Sequence, residues 1–189
     1  MSTPTPLQTS SFFTRTSSSK TQFIAAAGLI AALYVVFTMV SYPLAFNLVQ
    51  LRLSEALTIL PVFMPAAVPG LFVGCALSNL IGAATGGNLL GAWDILLGSM
   101  TTLLAALATR ALRRATVRGV PVFAVLPPIL FNAAVVGAEL AYVVLPPLTA
   151  ASFFTAAAWV GLGQTVVCGG LGLLLWRQLQ KTIIKNKAP

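Results

Sequence analysis

The sequence predicts an all-α integral membrane protein, a single bundle of six transmembrane helices with both termini cytoplasmic. Three observations predict it. First, 58% of the 189 residues are hydrophobic and 7% are charged, with a mean hydropathy of +0.93; soluble domains carry about 25% charged residues. Second, apolar runs recur at lengths that suit a spanning helix, which takes about 20 residues. Third, the charges are segregated. The eleven Lys and Arg residues crowd into the polar ends and one short loop, while the three acids, Glu55, Asp94 and Glu139, lie in or at the edge of apolar stretches.

Residues 1–19 are rich in Ser and Thr, with Arg15 and then Lys20 ahead of the first apolar run. They read as a disordered cytoplasmic tail and not as a signal peptide. The run over 23–40 is longer than a signal h-region, and Ala25-Ala26-Ala27 falls at its start instead of after it. The first span is placed at about 21–41. The stretch 53–83 is apolar but broken by Pro61, Pro65, Pro69 and Gly70. As one helix it would be about 46 Å long, against a hydrocarbon core of about 30 Å. Two short helices, 53–64 and 67–83, turning at Met64-Pro65-Ala66, fit better. Later spans fall at 94–113, at 121–145 with a kink expected at Pro127-Pro128, and at 152–177. The membrane domain is 20–178, and 179–189 reads as a basic cytoplasmic tail.

Charge parity supports six spans. With the N-terminus inside, Arg15, Lys20, Arg110, Arg113, Arg114, Arg118, Arg177, Lys181, Lys185 and Lys187 are cytoplasmic, and only Arg52 of the eleven cations is outside. Treating 53–83 as one span would put the Arg110–Arg118 cluster on the outer face, against the positive-inside rule. The same topology brings Glu55, Asp94, Glu139 and Asn79 toward the outer half, under the loop GAATGGNLLGA at 82–92. Asn132 shares a helix face with Glu139, since seven residues are two turns, and Gln164 falls at a similar depth.

Several function classes are excluded. The basic residues flank apolar runs, so headgroups and insertion explain the charge of +8 better than nucleic acid does. With no histidine and two isolated cysteines, Cys75 and Cys168, the chain offers neither a metal site nor a Ser–His nucleophile. No phosphate-binding GxxxxGK[ST] loop is present. No cofactor is called for. Carboxylates and amides in an apolar cavity instead describe a ligand pocket with a few orienting groups. A carboxylate accepts paired N–H bonds from a guanine-like edge, and a second carboxylate suits a ligand amine. For Glu55 and Asp94 a plainer role stays open. Ser54 and Asp94 occupy plausible helix caps, where negative charge is favoured, and Arg52 is a candidate salt partner for Glu55. In the first span Ala27 with Ala31, and Gly28 with Ala32, form small-xxx-small pairs that let another helix approach, either a partner's or one of this bundle.

Three segments carry a resemblance: LRLSEALTILPVFMPAAVPGLFVGCALSNLIG at 51–82, WDILLGSMTTLLAAL at 93–107 and PPILFNAAVVGAELAYVV at 127–144. They resemble the queuosine-precursor transporter (QueT) family, substrate-binding S components of bacterial energy-coupling factor (ECF) transporters, over about residues 21–178. The resemblance implies a six-helix S component in the plasma membrane. It would capture queuine or a related 7-deazaguanine from outside and deliver it through a T component and two ATPases. It implies that the face of Ala27 and Ala31 meets the T component. Glu139, Asn132, Asn79, Glu55, Asp94 and Gln164 are the candidate polar contacts, with Trp93, Tyr142 and Trp159 as candidate stacking walls. Carriers of biotin, thiamine or riboflavin would use similar groups. A proton-coupled carrier working alone would use Glu139 as its relay.

Overall fold

A computed structural model describes residues 20–185, so the N-terminal tail expected at 1–19 and the last four residues lie outside the described part. The described residues are helical, without a β-strand. Helix α1 spans Lys20–Val40 and is followed by a one-turn helix α2, Tyr42–Ala45. A ten-residue 3-10 helix, Leu53–Val62, comes next, then α3 (Ala67–Ala84) and α4 (Trp93–Ala111). Helix α5 (Leu126–Val144) leads to α6 (Ala150–Gln164), which passes through a π-helical stretch, Thr165–Gly172, into α7 (Leu173–Lys185). Residues 179–185, expected in a tail, therefore belong to α7, and Leu179 packs against the core.

Among the described residues, five helical stretches are long and apolar enough to cross a membrane: Lys20–Val40, Ala67–Ala84, Trp93–Arg114, Val122–Val144 and Ala150–Ile183. The segment Leu53–Val62 is apolar but shorter, and its 3-10 winding carries it about 20 Å at 2.0 Å per residue. The break expected at Met64-Pro65-Ala66 lies between it and α3. Pro69 falls in the first turn of α3, where its missing N–H has no helical partner to lose. The same reason corrects the kink expected at Pro127-Pro128. Both prolines occupy the first turn of α5, which starts at Leu126, so they open the helix instead of bending it.

Neighbours in sequence pack as neighbours in space: α1 on α3, α3 on α4, α4 on α5, α5 on α6. The 3-10 helix is held among α1, α4, α7 and the π-helical stretch, and seven of its ten residues are buried. Glycines set the closest approaches. A Cβ on Gly70 would stand 2.7 Å from the Ala27 carbonyl oxygen, and one on Gly74 would stand 3.0 Å from that of Ala31. The α3 sequence Gly70-Leu71-Phe72-Val73-Gly74 thus receives the small residues of α1, the small-xxx-small packing that works in lipid. Gly137 does the same for α5 against Ala157 of α6.

Polarity is distributed as a lipid solvent requires. Ile24, Leu29, Val40, Leu130, Leu162 and Val166 are exposed, while Thr38, Ser54, Glu55, Asn79, Asp94, Asn132 and Gln164 are buried. An aqueous protein with that surface would aggregate; in a bilayer the exposed side chains are matched to their surroundings.

Candidate functional site

The first strand of the site starts at the loop between α2 and the 3-10 helix. Gln50, at a positive φ of 46°, turns the chain so that Arg52 enters the protein. The Arg52 guanidinium donates to Asp94 Oδ2 at 2.9 Å and to the Ala45 carbonyl at 3.1 Å, and it lies 4.9 Å from the centre of the Phe46 ring. Asp94 is in the first turn of α4 but caps nothing; the cap position belongs to Ala92, which makes no side-chain bond. Its Oδ2 takes a second bond from Asn88 Nδ2 at 3.0 Å, and Asn79 Nδ2 donates to its main-chain carbonyl at 2.6 Å. Two expectations are corrected here. Asp94 serves as half of a buried ion pair and not as a cap, and the partner of Arg52 is Asp94 and not Glu55. A guanidinium with five donors in a fixed fork suits that crowded position.

Gly98 makes the pair fit. It follows Asp94 by one helical turn, and a Cβ there would collide with the Asp94 carboxylate and stand 2.9 Å from Asn79 Nδ2. Asp94 can fold back along its own helix only over a residue without a side chain.

The second group surrounds Glu55, which is buried on the 3-10 helix. Tyr34 of α1 donates its hydroxyl to Glu55 Oε1. One turn further along α1, Thr38 donates to Ser54 Oγ at 2.7 Å, so α1 grips the 3-10 helix at two successive residues. Ser54 spends its hydroxyl in this way and caps no helix. From the other side Cys168 of the π-helical stretch reaches the Glu55 carbonyl at 3.5 Å and Gln164 Oε1 at 3.2 Å, and Thr58 donates to its sulfur at 3.6 Å. π-helical segments inside α-helices are frequent at functional sites.

The third group lies between α4 and α5. A cavity of about 360 Å³ is lined by Leu90, Trp93, Leu97, Glu139, Tyr142 and Val143. Three candidates, Glu139, Trp93 and Tyr142, therefore meet in one place. Trp159 does not line it. It packs instead against the apolar cluster of Leu90, Val136, Leu140, Ala141, Ala156 and Val160. Asn132, on α5, is buried.

One property unites the candidates. Among the described residues, the buried side-chain polar atoms without a hydrogen-bond partner are Glu55 Oε2, Asn79 Oδ1, Asp94 Oδ1, Asn132 Nδ2 and both Glu139 carboxylate oxygens. Buried polar groups in folded proteins are overwhelmingly paired, and each exception calls for a reason. Gln164 differs, since its Oε1 is engaged by Cys168.

The candidate docking face divides. Ala31 is buried against α3, while Gly28 and Ala32, on the next row of the helix, are exposed, and Ala27 lies half-buried at the border. Sequence reasoning missed Tyr34, Asn88 and the polar role of the cysteines. Cys75 takes bonds from Thr102 at 3.3 Å and Asn79 at 3.6 Å. A lone Tyr or Cys in an apolar run carries no signal of its partner 20 or more residues away.

Nothing among curated proteins or solved structures matches the chain. The family comparison does. The model of the QueT transporter family matches residues 24–181, which takes in every helix described above except the first few residues of α1 and the end of α7. The unpaired polar atoms thus lie in a chain of transporter and not enzyme type, with several helices apolar enough for a multi-pass membrane protein. The chain belongs to the QueT transporter family.

Proposed function

We propose that this chain is the S component of an ECF-type importer that captures a queuosine precursor, queuine or a related 7-deazaguanine, from outside a bacterial cell. Six spans in the plasma membrane, counting Leu53–Val62 as the short second one, and cytoplasmic termini complete the reading. A T component and two ATPases drive release inward.

The observation that carries the reading is the set of unpaired buried atoms, five oxygens against one nitrogen. All five residues that bear them were candidate contacts by sequence. Taken together as the contacts of one ligand, they call for a molecule rich in N–H donors with a single acceptor. A deazaguanine offers an N–H/NH2 edge for a carboxylate and a carbonyl for an amide nitrogen. Biotin, with a carboxylate of its own, would bring like charge to the acids.

For docking to the T component, the row of Gly28 and Ala32, bordered by Ala27, is the small-residue face left exposed on α1. Ala31 contributes from beneath by keeping α1 close to α3. Gly28→Leu with Ala32→Leu therefore tests docking without touching the bundle.

The test of function is a ligand panel. Purified protein is incubated with queuine, its simpler precursors, biotin, thiamine and riboflavin, and melting temperature and Trp fluorescence are followed. Stabilisation by a deazapurine supports the assignment. Stabilisation by another vitamin alone replaces the cargo, and uptake by proteoliposomes that hold this chain alone, without ATP, replaces the transport class with an autonomous carrier.

A further inference from the structure

We propose that Glu139, Trp93 and Tyr142 form a subsite for an organic ammonium group, so that the ligand is a cation and Glu139 selects it over a neutral isostere. The proposal rests on the ligand-binding reading above and goes beyond it in assigning the charge. The chain has three acids, and their charges are not equally engaged. Asp94 is neutralised by Arg52 at 2.9 Å. Glu55 receives the Tyr34 hydroxyl on one oxygen. Glu139 has a partner on neither oxygen, although both are buried. A carboxylate is kept in an apolar bundle where it meets a cavity, a partner or a ligand; Glu139 lines a cavity, and Arg52 is already committed to Asp94 and to the Ala45 carbonyl.

The walls identify the kind of cation. Apart from Glu139, the cavity of about 360 Å³ is lined by Leu90, Leu97, Val143 and the two aromatic residues. A hard divalent ion takes six or more oxygen ligands, and among the described residues no group of three or more His, Cys, Asp or Glu side chains is placed to hold a metal. An ammonium on carbon needs less. It takes one carboxylate for its N–H bonds and ring faces for its charge. The cavity is also far larger than an ammonium, which leaves room for a substituent on the nitrogen.

The test uses the full chain in nanodiscs and three deazaguanines of common ring structure: queuine (secondary ammonium), the aminomethyl compound (primary ammonium) and the cyano compound (neutral), with pyridoxamine as an unrelated primary ammonium. In the wild type the cations bind at least about tenfold tighter than the neutral compound, as a charge-assisted bond requires. Glu139→Gln removes that preference, while Glu55→Gln weakens all three deazaguanines together. Trp93→Leu and Tyr142→Leu replace exposed side chains, fold irrespective of Glu139→Gln, and reduce the preference in the same direction. Equal binding of charged and neutral deazaguanines by the wild type overturns the subsite and leaves the deazapurine assignment standing. Binding of pyridoxamine but no deazapurine, lost in Glu139→Gln, supports the subsite and overturns the cargo. Binding of none of the four counts against both.

Discussion

Replacing Arg52 by Met isolates the energetics of the site. The substitution keeps most of the apolar stem and removes the guanidinium, and with it the 2.9 Å bond to Asp94, the 3.1 Å bond to the Ala45 carbonyl and the contact with the Phe46 ring. Asp94, which is fully buried, keeps only the Asn88 amide on its Oδ2. Stranding one half of a buried ion pair costs about 3–5 kcal/mol, because the surviving charge has neither water nor partner. Asp94→Asn strands the guanidinium instead and falls in the same range. The double variant removes both charges, so its cost is smaller than the sum of the two by about 2–3 kcal/mol. The assay is reversible unfolding in mixed micelles on addition of SDS, followed by Trp fluorescence. Because the pair is out of solvent, raising salt to about 1 M leaves these differences unchanged. A cost below about 1 kcal/mol for Arg52→Met, or single effects that add within about 0.5 kcal/mol, would refute the buried pair.

Other changes probe neighbouring joints. Gly98→Ala pushes a methyl into the Asp94 carboxylate and Asn79, with a cost of about 1–3 kcal/mol and a loss of ligand affinity, both read by ligand-dependent melting. Tyr34→Phe leaves Glu55 Oε1 without its donor and costs about 1.5–3 kcal/mol; Glu55→Gln made in the same chain recovers part of it, which SDS titration would detect. Gly74→Val drives α1 away from α3 at Ala31 and Tyr34 and destabilises by more than the roughly 1 kcal/mol typical of a point change, whereas Gly28→Val, with open space around it, stays within about 0.5 kcal/mol.

The solvent, the helical class and the identity of the polar candidates were all legible in the sequence, because each is a matter of composition and spacing along one segment. A carboxylate or an amide in an apolar run is conspicuous wherever it falls, and the three acids and two asparagines with unpaired buried atoms all stood out in this way. The proline-broken stretch 53–83 also announced its division, since proline acts on its own turn. Partnership was not legible. That Asp94 answers to Arg52, 42 residues away, and that Tyr34 reaches Glu55, 21 residues away, depends on how α1, the 3-10 helix and α4 pack. The same packing decided which row of small residues on α1 is spent inside the bundle, because Gly70 and Gly74 of α3 admit Ala27 and Ala31 and leave Gly28 and Ala32 outside. It also gathered Glu139, Trp93 and Tyr142 around one cavity while setting Trp159, partly buried, against the apolar cluster beside it. Segment chemistry fixes which groups a membrane chain must shelter, and only the contacts between helices decide which of them shelter one another and which are left unpaired.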